Sequence, residues 1–347
     1  MLGGGVFVTQ NKILPGSYIN FVSAATVTSA VGERGTVAIP LALGHAKGTV
    51  IELTKLDFVA NSETLLGVPY SDDSVAPLRE IFCNATKVYV YDLGKTDTAS
   101  VSDVIAALEP YEFNVLCAYT DVDNDISSYI TAIKSWRDNM GKKCQVVVYN
   151  QNRPDHEGVI NVVSTVSNSG VPAYALVSWV AGAEAGCKVN ESCTNKLYNG
   201  EYDIITDKTQ SQLEACITAG QIAFHLVYGD VRLLEDVNSL VSTNADKGED
   251  FKSNQTIRVI DQIANDIAKL FNTKYLGKIP NDASGRVSLW GDIVRHHKEL
   301  EELRAIENFD AEQLTVERGD TKKSVVVYDY VTPVNAMAQL YMTVVVQ

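Results

Sequence analysis

From residue 87 to about 240, apolar residues come in short β-branched or aromatic runs separated by stretches with helical spacing. Val88-Tyr89-Val90-Tyr91 reads as a strand, followed by a short helix that Pro110 ends. Residues 113–118 read as a second strand, and 126–140 as an amphipathic helix closed by Gly141. Residues 144–149, with Val146-Val147-Val148 at the centre, form a near-continuous apolar strand of the sort buried on both faces. A helix over 213–219 leads to strands at 223–228 and 231–234, with Gly229-Asp230 at the reversal. Strand and helix alternating in this way predict a mainly parallel sheet. Upstream, residues 36–41, 50–53 and 87–91 read as short strands, with helical stretches over 58–66 and 75–84.

A polar stretch, 243–254, comes before two helices. Ile257, Ile260, Ile263, Ile267 and Leu270 make one apolar stripe, and Leu289, Ile293, Leu300, Leu303 and Ile306 another. Residues 314–318 and 325–331, around Gly319-Asp320, read as a hairpin. The pattern predicts an α/β plus α+β chain in several units. These are an N-terminal arm (1–20), a small mixed β-rich domain (21–92), an α/β domain (93–242), a C-terminal α+β domain (243–334) and a C-terminal arm strand (335–347).

Charge and composition narrow the function. The 347 residues are 46% hydrophobic and 21% charged, enough apolar material for more than one core. Forty-three acidic side chains against 29 Lys and Arg give a net charge of −14, which repels a phosphate backbone and an anionic membrane. Neither direct nucleic-acid binding nor membrane insertion is expected. The opening residues lack a basic segment followed by an apolar one, so no secretory signal is expected. The longest uncharged run, 158–183, is broken by Asn, Ser, Gly and Pro172 and does not read as a membrane span. Six cysteines, mostly inside apolar segments, read as reduced, buried thiols of a protein made in a cytosol. Cys187 and Cys193 are close enough in sequence to pair if oxidised, and otherwise stay free.

The two ends share one property. After the flexible Gly3-Gly4-Gly5, Val6-Phe7-Val8-Thr9 has strand propensity, Pro15-Gly16 turns the chain, and alternation resumes at Tyr18-Ile19. At the other end Met337, Leu340, Tyr341, Met342, Thr343, Val344 and Val345 lie in a β-prone segment without charge. Either each end pairs inside its own domain, or it adds as a strand to another subunit. An unpaired strand recruits another chain unless charge or proline blunts it, and the last segment has no such gatekeeper. A backbone hydrogen bond contributes about 1 kcal/mol net, so a strand of five or six residues contributes about 3–6 kcal/mol. Repeated head to tail, contacts of that size build open helical arrays.

Several runs occur in a telling order: Thr9-Gln10-Asn11-Lys12, then Pro15-Gly16-Ser17-Tyr18-Ile19-Asn20-Phe21, then Gly32-Glu33-Arg34-Gly35-Thr36-Val37-Ala38-Ile39-Pro40-Leu41. Residues 261–269, 281–290 and Leu340-Tyr341-Met342-Thr343-Val344 follow. Together, and over essentially the whole chain, they resemble the tail sheath proteins of contractile phages. The likeness is greatest to the short type of defective prophages, phage-like elements and tail-like bacteriocins of Gram-positive bacteria. The resemblance implies a subtilisin-like but non-catalytic α/β domain at 93–242. It implies arms that add strands to a neighbour's C-terminal sheet, and a metastable helical homo-polymer that wraps a tail tube and contracts. Its partners would be itself, the tube protein, and baseplate and tail terminator proteins. Such a protein is made in the bacterial host cytoplasm and released by lysis as part of a phage tail or tail-like particle.

The alternative is a cytosolic α/β enzyme or binding module with β-prone tails, so its chemistry was sought. A subtilisin-type site needs Asp, His and a Ser in a Gly-Thr-Ser-like element, and no such element occurs. His45, in Gly44-His45-Ala46-Lys47-Gly48-Thr49, lies outside the α/β region. No phosphate-cradling glycine loop follows a strand. Asp121, Asp123 and Asp125 begin like a calcium loop, but Ile126 and Ala132 stand where Gly and Glu are required, which leaves a cap and solvated turn before a helix. His296 and His297, about 100° apart on a helix, cannot clasp one ion. No catalytic, cofactor-binding or metal-binding residue is assigned, and no cofactor is expected. Arg286, Arg295, His296, His297, Lys298 and Arg304 concentrate positive charge beside Glu299, Glu301 and Glu302. They either solvate the helix or, as the resemblance implies, face the tube, with Arg295, His296, His297 and Lys298 as the contact.

Overall fold

The structure, a computed structural model, describes residues 31–95 and 99–346. Seven strands share one sheet: β1 (Thr36–Leu41), β2 (Val50–Thr54), β3 (Lys87–Asp92), β4 (Val115–Cys117), β5 (Gln145–Tyr149), β6 (Val159–Val162) and β7 (Gln221–Ile222). They lie in the order β2-β3-β1-β4-β5-β6-β7, and every pairing is parallel except β2 with β3. The fold is thus mixed α/β around a parallel sheet, as the alternation predicts.

The separate small domain expected at 21–92 is not what residues 31–92 form. β1, β2 and β3 pair into the same sheet as β4 to β7, with β1 between β3 and β4. The reason is readable in β1 itself: Val37 and Ile39 are buried on one face and Ala38 on the other, so the strand must be covered on both sides.

The pleat divides the core in two. Val37, Ile39, Val88, Val90, Val147 and Ile160 pack on α1 (Lys55–Leu66) and α2 (Ala76–Ile81) and on a later helix. Ala38, Tyr89, Leu116, Val146 and Val148 face α3 (Val101–Leu108) and α4 (Asp123–Asp138). α4 begins at Asp123 after Val122, which makes no side-chain cap. The acidic residues there are therefore not a cap: Asp123 and Asp125 sit in the first turn, where carboxylates meet the positive end of the helix dipole.

The sequence pattern gave no element to the uncharged run 158–183. It contains β6 and most of α5 (Leu176–Gly186), whose residues Leu176 to Ala185 are all buried. A helix enclosed on every side has no polar face and hence no amphipathic period to detect. Gly182 and Gly186 let α5 approach α2: a Cβ at these positions would lie 2.4 Å from the carbonyl oxygen of Ile81 and 2.1 Å from that of Asn84.

After α6 (Gln210–Thr218), β8 (Phe224–Val227) and β9 (Asp230–Leu233) form a hairpin. The C-terminal part then stacks α7 (Asn254–Leu270) and α8 (Ala283–Glu302). Two small antiparallel pairs lie against them: β10 (Ile306–Glu307) with β13 (Thr332–Pro333), and β11 (Thr315–Arg318) with β12 (Val325–Tyr328). All six cysteines are free thiols; five are buried and Cys83 is half-buried. Among the described residues no helix is long and apolar enough to cross a membrane.

Gly182→Ala is expected to push the α2 backbone away and cost about 1–3 kcal/mol by overpacking. A urea midpoint equal to that of the unaltered chain would show that α2 accommodates the methyl group.

Candidate functional site

α7 is buried on two sides, and its sequence carries two stripes at the helical period. The isoleucines of one stripe, Ile260, Ile263 and Ile267, are only half-buried. The other stripe, Asn254, Arg258, Asp261 and Asn265 at spacings of 4, 3 and 4, turns to the α/β sheet. Asn254 accepts from Gln145 at 3.0 Å, and Asn265 donates to the Lys143 carbonyl at 2.8 Å. Asp261 takes a two-pronged bond from Arg137 at 2.6 and 2.8 Å. Arg258 donates to Glu184 at 2.6 Å, to Asp236 at 3.2 Å and to the Glu191 carbonyl at 2.8 Å.

The Arg258 cluster lies wholly inside, with each of the three side chains 2% exposed or less. Burial first, and Asp236 second, push the Glu184 carboxyl well above the ordinary range. Burial, the largest single influence, pushes Asp236 up, but Arg258 together with the hydrogen bonds from Glu184 and the Cys193 N–H outweighs it, and the carboxyl ends below its usual value. For Arg258 burial works against the charge, and Asp236 and its other neighbours more than offset it. The arrangement is an ionised Arg258–Asp236 pair with Glu184 as a neutral acid. Glu184 Oε1 and Asp236 Oδ1 otherwise have no hydrogen-bond partner, and a proton on Glu184 supplies one.

α7 also fixes where the chain leaves the body. The Gln255 amide donates to the Val334 carbonyl at 3.1 Å and accepts from the Ala336 N–H at 2.9 Å. Thr256 reaches Asn335 at 3.2 Å. Beyond this anchor, residues 337–346 belong to no strand and, among the described residues, pair with nothing in the body. Leu340 is 85% and Tyr341 87% exposed, and Met337, Met342, Val344 and Val345 are exposed as well. Pairing within its own domain, one of the two readings of this segment, is not what the described residues do.

The hairpin β11–β12 has the complementary property. Among the described residues neither strand pairs with anything but the other, so both outer edges are open. Val326, Val327, Tyr328 and Tyr330 lie exposed along it. The N-terminal candidates Val6, Phe7, Val8, Thr9, Pro15, Gly16, Tyr18 and Ile19 lie outside the described residues.

The basic helix face is smaller than the sequence suggests. Arg295 and Lys298 are exposed, but His296 and His297 are 1% and 0% exposed. Each imidazole is held by a carboxylate, Asp266 and Asp329 respectively, so neither histidine lies on a solvated or tube-facing surface. Among the described residues, two groupings of possible metal ligands remain, and both are already compensated. Glu184, Cys193 and Asp236 surround the Arg258 guanidinium. In the set Asp138, His156 and Glu157, the Gly158 N–H donates to His156 Nδ1, which puts the ring proton on Nε2, and Lys247 bonds Glu157 at 2.7 Å.

Two domain descriptions match this chain: "Phage tail sheath protein central domain" over residues 94–239 and "Phage tail sheath C-terminal domain" over 246–347. Two Bacillus subtilis proteins, one from the phage-like element PBSX, are 29% identical, and the chain spans 58% and 57% of their lengths. The tail sheath protein of Clostridium phage phiCD119 is 27% identical over 76% of this chain and 73% of that protein. The crystal structure of a sheath tail protein from Desulfitobacterium hafniense superposes with a TM-score of 0.79 at 25% identity, covering 93% of this chain and 98% of that one. The contracted helical sheath of the anti-feeding prophage shares the fold, with a TM-score of 0.71 at 17% identity, covering 96% of this chain and 99% of that one.

Glu184→Gln imitates the neutral acid. Because folding raises the Glu184 pKa, wild-type stability falls as pH rises above the unfolded-state value of about 4.5. The melting temperature of the variant should therefore gain on wild type as pH rises through the neutral range. A variant less stable than wild type at every pH would mean that Glu184 is ionised. Arg258→Met strands a carboxylate and should cost about 3–5 kcal/mol in chemical denaturation.

Proposed function

The chain belongs to the phage tail sheath family, and from that membership we propose that it is the structural subunit of a contractile tail sheath. The observation that carries the detail is that, among the described residues, the exposed and uncharged segment 337–346 is unpaired and the C-terminal hairpin has two open edges. Met337, Leu340, Tyr341, Met342, Thr343, Val344 and Val345 add as a strand to a hairpin edge of a neighbouring copy. Val6, Phe7, Val8, Thr9, Pro15, Gly16, Tyr18 and Ile19 supply a second connection in the same way.

Fully extended, residues 337–346 span about 33 Å, enough to bridge to an adjacent body. Each added strand contributes about 3–6 kcal/mol through backbone bonds that do not depend on the angle between bodies. The Gln255 anchor ends at Ala336, so the body can turn on its connection while the connection persists. That combination suits a helical array that shortens and widens while it drives a tail tube through a cell envelope. The α/β part acts as a non-catalytic, subtilisin-like body, with baseplate, tube and terminator proteins as further partners. Arg295 and Lys298, exposed on α8, form the part of the basic face left to meet the tube.

Removing residues 336–347 should leave a folded, soluble protein that forms no tubes in negative-stain micrographs, while the full chain polymerises. Tubes of normal appearance from the truncated chain would end the strand-exchange reading. Reversing the charge of Arg295 and Lys298 together should weaken co-assembly with the tube protein without changing the melting temperature. Undiminished co-assembly would remove these residues from the tube contact.

A further inference from the structure

Two adjacent histidines of α8 are buried inside the body. His296 Nε2 lies 3.0 Å from Asp266 Oδ2 of α7, and His297 Nε2 lies 2.8 Å from Asp329 Oδ2, just after β12. Their Nδ1 atoms face each other at 3.4 Å. Asp266 Oδ2 also accepts the Gly32 N–H at 3.0 Å. One polar chain therefore runs from Gly32 through Asp266, His296 and His297 to Asp329, three residues before β13 and the root of the C-terminal segment.

Proton counting fixes what this chain can hold. An ionised carboxylate only accepts, so each Nε2 must carry a hydrogen. If both rings are neutral, their Nδ1 atoms are bare and two lone pairs oppose each other. If both rings are cationic, two N–H groups oppose each other. Three protons over the two rings satisfy every contact: one ring is charged and donates its Nδ1–H to the other. We propose that His296 and His297 are a proton-sharing pair. It holds one positive charge between Asp266 and Asp329, and its third proton joins the two rings into one continuous link from the segment after β12 through α8 to α7.

The surroundings suit a single charge. From α7, Asp266 faces the pair and is joined by Gln262, whose Oε1 meets Arg34 at 3.4 Å. From the segment after β12 comes Asp329, and beside His297 lies the Phe309 ring at 4.9 Å, its N–H bonded to Glu301. On α8 itself Arg295 and Lys298 are exposed. Adding a fourth proton or removing the third breaks the Nδ1 contact and leaves the two carboxylate contacts in place.

The test uses the full chain with ¹⁵N-labelled histidine. Its five histidines are assigned by subtraction with His296→Gln and His297→Gln. Over the pH range in which the chain stays folded, ring nitrogen shifts should show both Nε2 atoms protonated and a form with one further proton over the two Nδ1 atoms. Asp329→Asn keeps an acceptor for His297 but removes its charge, and should abolish that third-proton form. Bare Nδ1 atoms in the wild-type chain at every pH where it is folded would overturn the proposal, as would an Asp329→Asn spectrum still showing the third proton. If the substituted chains do not fold, selective ¹³C–¹⁵N labelling of the His296-His297 pair assigns the wild-type spectrum, which then decides alone.

Discussion

Arg258 is the side chain on which the arrangement of the two halves depends. A guanidinium taken this far from water is tolerated only when its charge and its donors are met together. Glu184 comes from the end of α5, the Glu191 carbonyl from the loop beyond it, and Asp236 from the segment after β9. Three separate stretches must be in place before α7 can dock. A small slip of the helix would leave a charge buried without its partner. Arg137 with Asp261 repeats the requirement one turn further on, which fixes rotation as well as position.

On the proposed sheath reading, a body locked internally in this way leaves assembly to other parts of the chain. The hairpin edges and the segment beyond Ala336 offer main-chain donors and acceptors, which carry no side-chain specificity and tolerate changes of angle. Rigid bodies with compliant backbone connections are what a lattice needs if it is to change shape without coming apart. On that proposed reading, function is spread over edges and a tail.

Much of this was legible in the residues. The alternating strands and helices of 87–240, the hairpin at 314–331 and the charge-free last segment follow from local pattern. So does the family, through runs of residues in the right order. The sequence also held the second stripe of α7, Asn254, Arg258, Asp261 and Asn265, at an unmistakable helical period. Nothing in the sequence marks it as buried, because polar residues on a helix usually face solvent. Only the opposing positions of Glu184, Asp236 and Arg137, separated in sequence by up to 124 residues, turn it into an interface. α5 escaped for the opposite reason, since a helix without a polar face has no period to read.

By itself, then, the sequence determined which segments are strands or helices and which end of the chain is unfit to be left alone in water, because propensity and charge act locally. Tertiary structure decided whether 36–92 is a separate unit or part of one sheet, since register with distant strands is not written in either strand alone. It also decided that His296 and His297 are buried, because only packing brings Asp266 and Asp329 to them. And it decided that the last segment finds no partner among the described residues: pairing is a property of two edges, and the described chain places the open ones elsewhere.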